Sequence, residues 1–200
     1  MPVPARRSRE NTRARLLEAA VKVFVKKGFS FSRIDDVVAE AGFTRGAFYS
    51  NFDSMDELFI ESVKLLAKQS LEVAREAIAV ETNLLDRTVI VRVLERLRPM
   101  GLDMFLLSSE MTMYALRHPE SRKEAVHLRR QLTLQFEHFL EEIFKRMGVS
   151  PQTDTYTIAD SLMVLFFDSV VKDHLNPTGG NSADLLQSTI DNLLAGLSQK

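Results

Sequence analysis

The sequence predicts an all-α protein: a three-helix N-terminal module with helix-turn-helix geometry, then an antiparallel helical bundle. Two observations carry this. Apolar residues recur three and four apart through nearly the whole chain, and glycine or proline appears mainly at intervals where a helix should stop. Alternating runs of β-branched residues, the mark of half-buried strands, are few.

The first helix is expected from Glu10 to Lys27, because Leu16, Leu17, Ala20, Val21, Phe24 and Val25 form one stripe and Gly28 supplies a stop. Ser32, with Asp35 three residues on, makes an N-terminal capping arrangement for a short second helix that runs to about Ala41. Gly42 then separates it from a third helix, which Thr44 can cap and which extends to about Phe52. So tight a turn, with glycine where a left-handed backbone is needed, forces two short helices to cross steeply. Ser54 and Glu57 form a full capping box that opens a fourth helix of about 25 residues, through Leu58, Val63, Leu66 and Val73.

Further breaks are expected at Thr82-Asn83, Pro99-Met100-Gly101, His118-Pro119, Gly148 to Pro151 and Asn176 to Gly180. Two of the resulting helices are long. Ser121 to Met147 carries Ala125, Leu128, Leu132, Phe136, Phe139, Ile143 and Met147 on one stripe, and Pro151 to Leu175 is apolar nearly all round at Leu162 to Phe167. A last helix carries Leu186, Ile190, Leu193 and Leu197. The domain boundary is set at 53/54, giving a head of residues 1–53 and a body of residues 54–200.

Composition narrows the function classes. The 45% apolar and 26% charged fractions are those of a folded globular chain, and no apolar run reaches the ~18 residues needed to span a bilayer. Without cysteine, disulfides, thiolate metal sites and thiol nucleophiles are excluded. Met1 to Glu10 lacks the apolar stretch of a secretory signal, so a cytoplasmic location is expected. Net charge is only -1, yet the chain up to Phe52 holds ten Lys/Arg against five Asp/Glu, and the rest sixteen against twenty-two. A basic head on an acidic body suits a polyanion, whose condensed counterions are released as phosphates are neutralised; Arg6, Arg7 and Arg9 add to this footprint.

The run Ile34-Asp35-Asp36-Val37-Val38-Ala39-Glu40-Ala41-Gly42-Phe43-Thr44-Arg45-Gly46-Ala47-Phe48-Tyr49-Ser50-Asn51-Phe52, followed by Leu58 and Phe59, strongly resembles the TetR family of bacterial transcriptional regulators. The match covers about Arg13 to Phe59. It departs from the family at Met55, where lysine is usual, and at Asn51, where histidine or tyrosine is frequent.

Each role also has a physical reason. A recognition helix exposes small or polar residues at its leading end and anchors its other face in the core. Thr44, Arg45, Gly46 and Ala47 fit the first need, Phe48 and Phe52 the second. The Arg45 fork can pair with O6 and N7 of guanine, and Gly46, which costs about 1 kcal/mol of helix propensity, permits close backbone approach. Ser32, Arg33, Tyr49, Ser50 and Asn51 complete the expected DNA-contacting set, positioning phosphates.

The resemblance implies a ligand-responsive repressor that binds a palindromic operator as a homodimer and is released by a small lipophilic effector. It further implies that the last two long helices pair between subunits, through Leu162, Phe166, Val170, Leu186, Ile190, Leu193 and Leu197. A pocket lined by Leu65, Met100, Met104, Phe105, Met111, Tyr114, Phe136 and Phe166 is expected to take the effector, since methionine adapts to irregular shapes and aromatic rings give flat apolar walls.

Two rival readings remain at this level. One keeps the DNA-binding head but has no small-molecule effector. The other is a helical-bundle metalloenzyme, prompted by the Glu-x-x-His spacing of Glu124 and His127; such sites need a second copy, which the sequence lacks, so His127 reads as an exposed polar residue. Gly179-Gly180 lacks the strand and spacing of a phosphate loop. No catalytic residue, metal or cofactor is expected.

Overall fold

The computed structural model describes residues 5–81, 88–176 and 186–192; its elements are all helical, with no strand among the described residues. In chain order they are α1 (Ala5–Lys27), a 3-10 turn (Phe29–Phe31), α2 (Ile34–Ala41), α3 (Arg45–Tyr49), α4 (Met55–Ala79), α5 (Val89–Arg117), a second 3-10 turn (Pro119–Ser121), α6 (Arg122–Met147) and α7 (Thr155–Leu175). Residues 186–192 are also helical. Thr82-Asn83, Gly179-Gly180, Leu193 and Leu197 lie outside the described residues.

Two compact units are formed, Met1–Lys68 with Leu106–Tyr114, and Gln69–Phe105 with Ala115–Lys200. The first unit thus continues past the 53/54 boundary. Its aromatic packing shows why: Phe59 of α4 stacks on Phe29 at 4.4 Å between ring centroids and meets Phe24 edge-on at 5.3 Å. From α5, Tyr114 lies edge-on to Phe29 at 5.2 Å, and the Glu110 carboxylate accepts the Phe29 N–H at 3.1 Å.

Several elements begin or end away from their expected positions. Helix α1 starts at Ala5, ahead of Glu10, because its first turns carry no apolar stripe for periodicity to detect. The start of α2 is capped differently from the Ser32–Asp35 expectation. Arg33 takes the N-cap position with its own N–H accepted by Asp36 at 3.0 Å, while the Ser32 hydroxyl donates to the Gly28 carbonyl at 2.7 Å. The Lys27 ammonium bonded to Asp36, followed by that Arg33 N–H, holds the Asp36 carboxyl below the usual carboxylate range. At α4, Ser54 accepts the Glu57 N–H at 3.0 Å, but the Glu57 carboxylate takes the N–H of Asp53, one residue ahead of the cap.

Helix α5 runs unbroken through Pro99, where a division was expected. Proline inside a helix costs roughly 3 kcal/mol. Here its ring is exposed, and the flanking turns are fixed by buried Val93, Leu94 and Leu97 and by Arg98, which bonds Glu95 and, at 2.7 Å, Asp173 of α7. Tertiary contacts outweigh the missing hydrogen bond. Helix α7 starts at Thr155 instead of Pro151, because Asp154 caps it by accepting the Thr157 N–H at 2.9 Å.

The core of the second unit joins Ile90, Leu94, Leu140, Ile143, Leu162 and Val170 with Leu186 and Ile190. Gly101 lies in it because nothing larger fits: a methyl there would sit 2.7 Å from Val170 Cγ2 and 3.1 Å from Phe166 Cζ.

Candidate nucleic-acid interface

Helices α2 and α3 meet across Gly42, whose backbone is left-handed at φ 71°, ψ 34°. The Gly42 N–H donates to the Ala39 carbonyl at 3.2 Å and the Phe43 N–H to the Val38 carbonyl at 2.8 Å, the paired bonds of a Schellman stop. This turn fixes the angle at which α3 leaves. Five residues are too few for a helix to hold itself, so α3 depends on its anchor. Phe48 is fully buried, 6.0 Å from the Phe52 ring and 5.3 Å from Tyr49.

The turn after α3 is held from α1. Arg9 donates to the Ser50 carbonyl at 2.7 Å and Arg13 to the Asn51 carbonyl at 3.2 Å, while Arg13 also lies over the Phe52 ring at 4.2 Å and pairs with Glu61. Arg15 bonds the Ala41 carbonyl at 2.9 Å and lies over Phe43. These arginines satisfy orphan carbonyls and offset the negative helix ends. Sequence reading missed this role, assigning Arg9 only to the electrostatic footprint; the signal available was that C-terminal carbonyls need donors. The side chains of Arg6 and Arg7 lie outside the described residues.

The outward face carries most, though not all, of the expected contact residues. Arg33, Thr44, Arg45, Gly46, Tyr49 and Ser50 are exposed, while Ser32 and Ala47 are half-buried. Thr44 sits at the N-cap of α3, but its hydroxyl makes no cap bond; only its carbonyl does, accepting from Ala47 and Phe48. The third helix ends at Tyr49, short of Phe52, with the Ser50 hydroxyl returned to the Gly46 carbonyl at 2.8 Å. Asn51 turns inward: its amide donates to the Ala47 carbonyl at 2.8 Å and its side-chain oxygen is buried without a partner.

Two details mark the leading end of α3. A methyl placed on Gly46 would meet nothing closer than the Thr44 hydroxyl oxygen at 3.7 Å, and the Gly46 φ is not positive, so the protein's own packing does not require glycine there. Arg45, 60% exposed, is gripped by Asp35 of α2: its Nε lies 2.6 Å from Asp35 Oδ1 and its Nη2 2.9 Å from Oδ2. Those hydrogen bonds, then the carboxylate charge, raise the Arg45 pKa above its ordinary value.

The arrangement agrees with the comparisons. Residues 16–62 match the family model described as bacterial regulatory proteins, tetR family. That N-terminal segment is similar to the TetR family. Over 58 residues this chain is 41% identical to the uncharacterized HTH-type transcriptional regulator YfiR of Bacillus subtilis (strain 168), a match covering 29% of this chain and 28% of that protein. Likeness in fold extends much further. A TetR-family transcriptional regulator from Rhodococcus sp. superposes with a TM-score of 0.75 at 15% identity, over 94% of this chain and all of the other. A transcriptional regulator from Saccharomonospora viridis, solved in complex with choline, gives 0.67 at 17% identity over 93% and 96%.

Outside the head, the expected pocket residues divide between the two units. Leu65, Met111 and Tyr114 belong to the first, Met100, Met104, Phe105, Phe136 and Phe166 to the second. Phe136 and Phe166 are core residues, and the Met104 sulfur accepts from the Ser70 hydroxyl at 3.1 Å. Of the residues expected at a subunit interface, Leu162, Phe166, Val170, Leu186 and Ile190 are buried within the single chain. What α7 leaves outward is Val164 at 56% and Leu175 at 81% exposure, with half-buried Phe167 and Val171 between them. His127 is exposed.

Proposed function

We propose that this chain is a transcriptional repressor that reads double-stranded DNA as a homodimer and is released by a small molecule. The observation that carries the DNA reading is the leading end of α3, where an exposed arginine stands beside a glycine that the fold itself does not need. A glycine retained at about 1 kcal/mol of helix propensity, with open space around it, is explained by a partner whose surface comes close to the backbone. The floor of the major groove is such a surface, and Arg45 offers the bidentate donor pair that guanine accepts. Arg33, Thr44, Tyr49 and Ser50 then face the phosphates.

Selection of duplexes from a random library by the full chain tests this. A palindromic consensus with guanine at one position of each half-site is expected. Arg45→Ala should cost about 1–3 kcal/mol and relax that position alone. Equal weakening of all sequences would remove the base-reading role of Arg45.

A short reading helix spans few base pairs, so specificity needs two copies about 34 Å or more apart. The dimer surface we favour is the outward stripe of α7, Val164, Phe167, Val171 and Leu175, whose three- and four-residue spacing is that of a helix pairing seam. Val164→Glu places a charge in that seam. It should shift sedimentation from dimer to monomer at micromolar concentration and lower affinity for the palindrome at least tenfold, leaving protomer helicity intact; an unchanged dimer would exclude this face.

The release step rests on the choline seen in a protein of like fold. An effector weakens DNA binding only by preferring a conformation whose heads are wrongly spaced, and the Met- and Phe-rich residues around Met100 to Phe105 suit a ligand with apolar surface. Catalysis has no part in this reading. No described helix is long and apolar enough to cross a membrane, in keeping with the cytoplasmic setting proposed for a DNA reader.

A further inference from the structure

We infer that Asp35 is a specificity-determining positioning residue, which aims the Arg45 guanidinium end-on at a guanine; the inference rests on the DNA-reading role proposed above. A guanidinium carries five N–H donors in a planar fork. Asp35 takes the side edge, with its Oδ1 on Nε at 2.6 Å and its Oδ2 on Nη2 at 2.9 Å. The two N–H groups of Nη1 and the second of Nη2 are left over. One from each nitrogen forms the parallel end-on pair that matches O6 and N7 of guanine.

The placement of Asp35 supports this division of labour. Its neighbour Asp36 does the structural work at the start of α2, accepting the Arg33 N–H and the Lys27 ammonium. Asp35 is 63% exposed, and Arg45 takes both of its oxygens. An exposed ion pair adds little stability, so the fold does not explain it. For general attraction to DNA, a carboxylate on the approaching face is a liability, since it repels phosphates. What it supplies is orientation: an arginine free to rotate settles on any nearby phosphate or acceptor, whereas one held along its side edge presents a single donor pair.

The test uses the full-length wild-type chain, Asp35→Ala, Asp35→Asn, Arg45→Ala and the Asp35→Ala/Arg45→Ala double variant. Each is measured by competition against the selected palindrome and its three single-base replacements at the Arg45-dependent position, with circular dichroism as the check on folding. Wild type should prefer guanine by about tenfold or more. Asp35→Ala should reduce that preference to threefold or less, while binding to random-sequence duplex stays equal or strengthens and the salt dependence does not fall. Asp35→Asn, which keeps size and one acceptor, should lie between. In the double variant, removing Asp35 should change base preference no further than Arg45→Ala alone, because for base reading the two residues act as one unit.

An undiminished or sharper preference for guanine in Asp35→Ala would overturn the proposal, as would uniform weakening at every base. A wild-type chain that selects no duplex would instead sink the DNA-reading function itself. A consensus that Arg45→Ala leaves intact would keep that function but remove the arginine that Asp35 is held to aim.

Discussion

Phe48→Ala should destabilise the N-terminal unit by about 3–5 kcal/mol and abolish the sequence-specific DNA binding proposed above. The ring is fully buried, with Phe52 and Tyr49 against it, and it is the main apolar anchor of a five-residue helix. Removing it subtracts the transfer energy of the ring and leaves a cavity that the tight Gly42 turn cannot collapse around. Since α3 has no side-chain cap and fewer than two turns, nothing local holds it once the anchor is lost. Hydrogen exchange of the α1 to α3 amides, with urea unfolding alongside, measures the effect. Tyr49→Ala is the control, being mostly exposed, and should shift stability by no more than about 0.5 kcal/mol. Equal protection of the head in Phe48→Ala and wild type would refute the anchoring role.

Gly101→Val should cost the second unit roughly 3 kcal/mol, through overpacking instead of a cavity. Even one methyl at this position comes within 2.7 Å of Val170 Cγ2 and 3.3 Å of its Cγ1, as well as 3.1 Å from Phe166. Val170 is β-branched, so its side chain has few rotamers in a helix with which to retreat. Gly101→Ala is the milder case: about 1–3 kcal/mol of crowding is offset by the ~1 kcal/mol that alanine gains over glycine in helix propensity. Combining Gly101→Ala with Val170→Ala removes both crowding Val170 carbons and leaves only Phe166 Cζ close, so the pair should be more stable than the sum of the single changes predicts. Strict additivity in thermal unfolding would place the strain elsewhere.

These two positions show what the sequence reveals and what it hides. Phe48 was legible as an anchor because it sits four residues before Phe52 behind a glycine turn, a local pattern with few solutions. Gly101 was misread as a break, because a Pro-Met-Gly triplet has the composition of a helix end and nothing local announces the α7 side chains that come up against it. The same limit governs α7. A helix apolar on nearly every side has no phase for periodicity to report, so nothing local says that Leu162, Phe166 and Val170 pack inward within the chain while Val164 and Leu175 are left exposed. At the head, which residues face out was largely readable; their hydrogen bonds were not. The inward turn of Asn51 and the grip of Asp35 on Arg45 depend on side-chain geometry across ten residues or fewer, yet residue type alone permits several pairings.

The arginines of α1 bear on how this protein could be re-engineered. Arg9, Arg13 and Arg15 end on backbone oxygens at Ser50, Asn51 and Ala41, and Arg13 also reaches Glu61. A graft that swaps only α2 and α3 into another scaffold would leave those oxygens without donors and α3 without its brace. The smallest cassette that carries its own support begins before Arg9 and ends after Glu61.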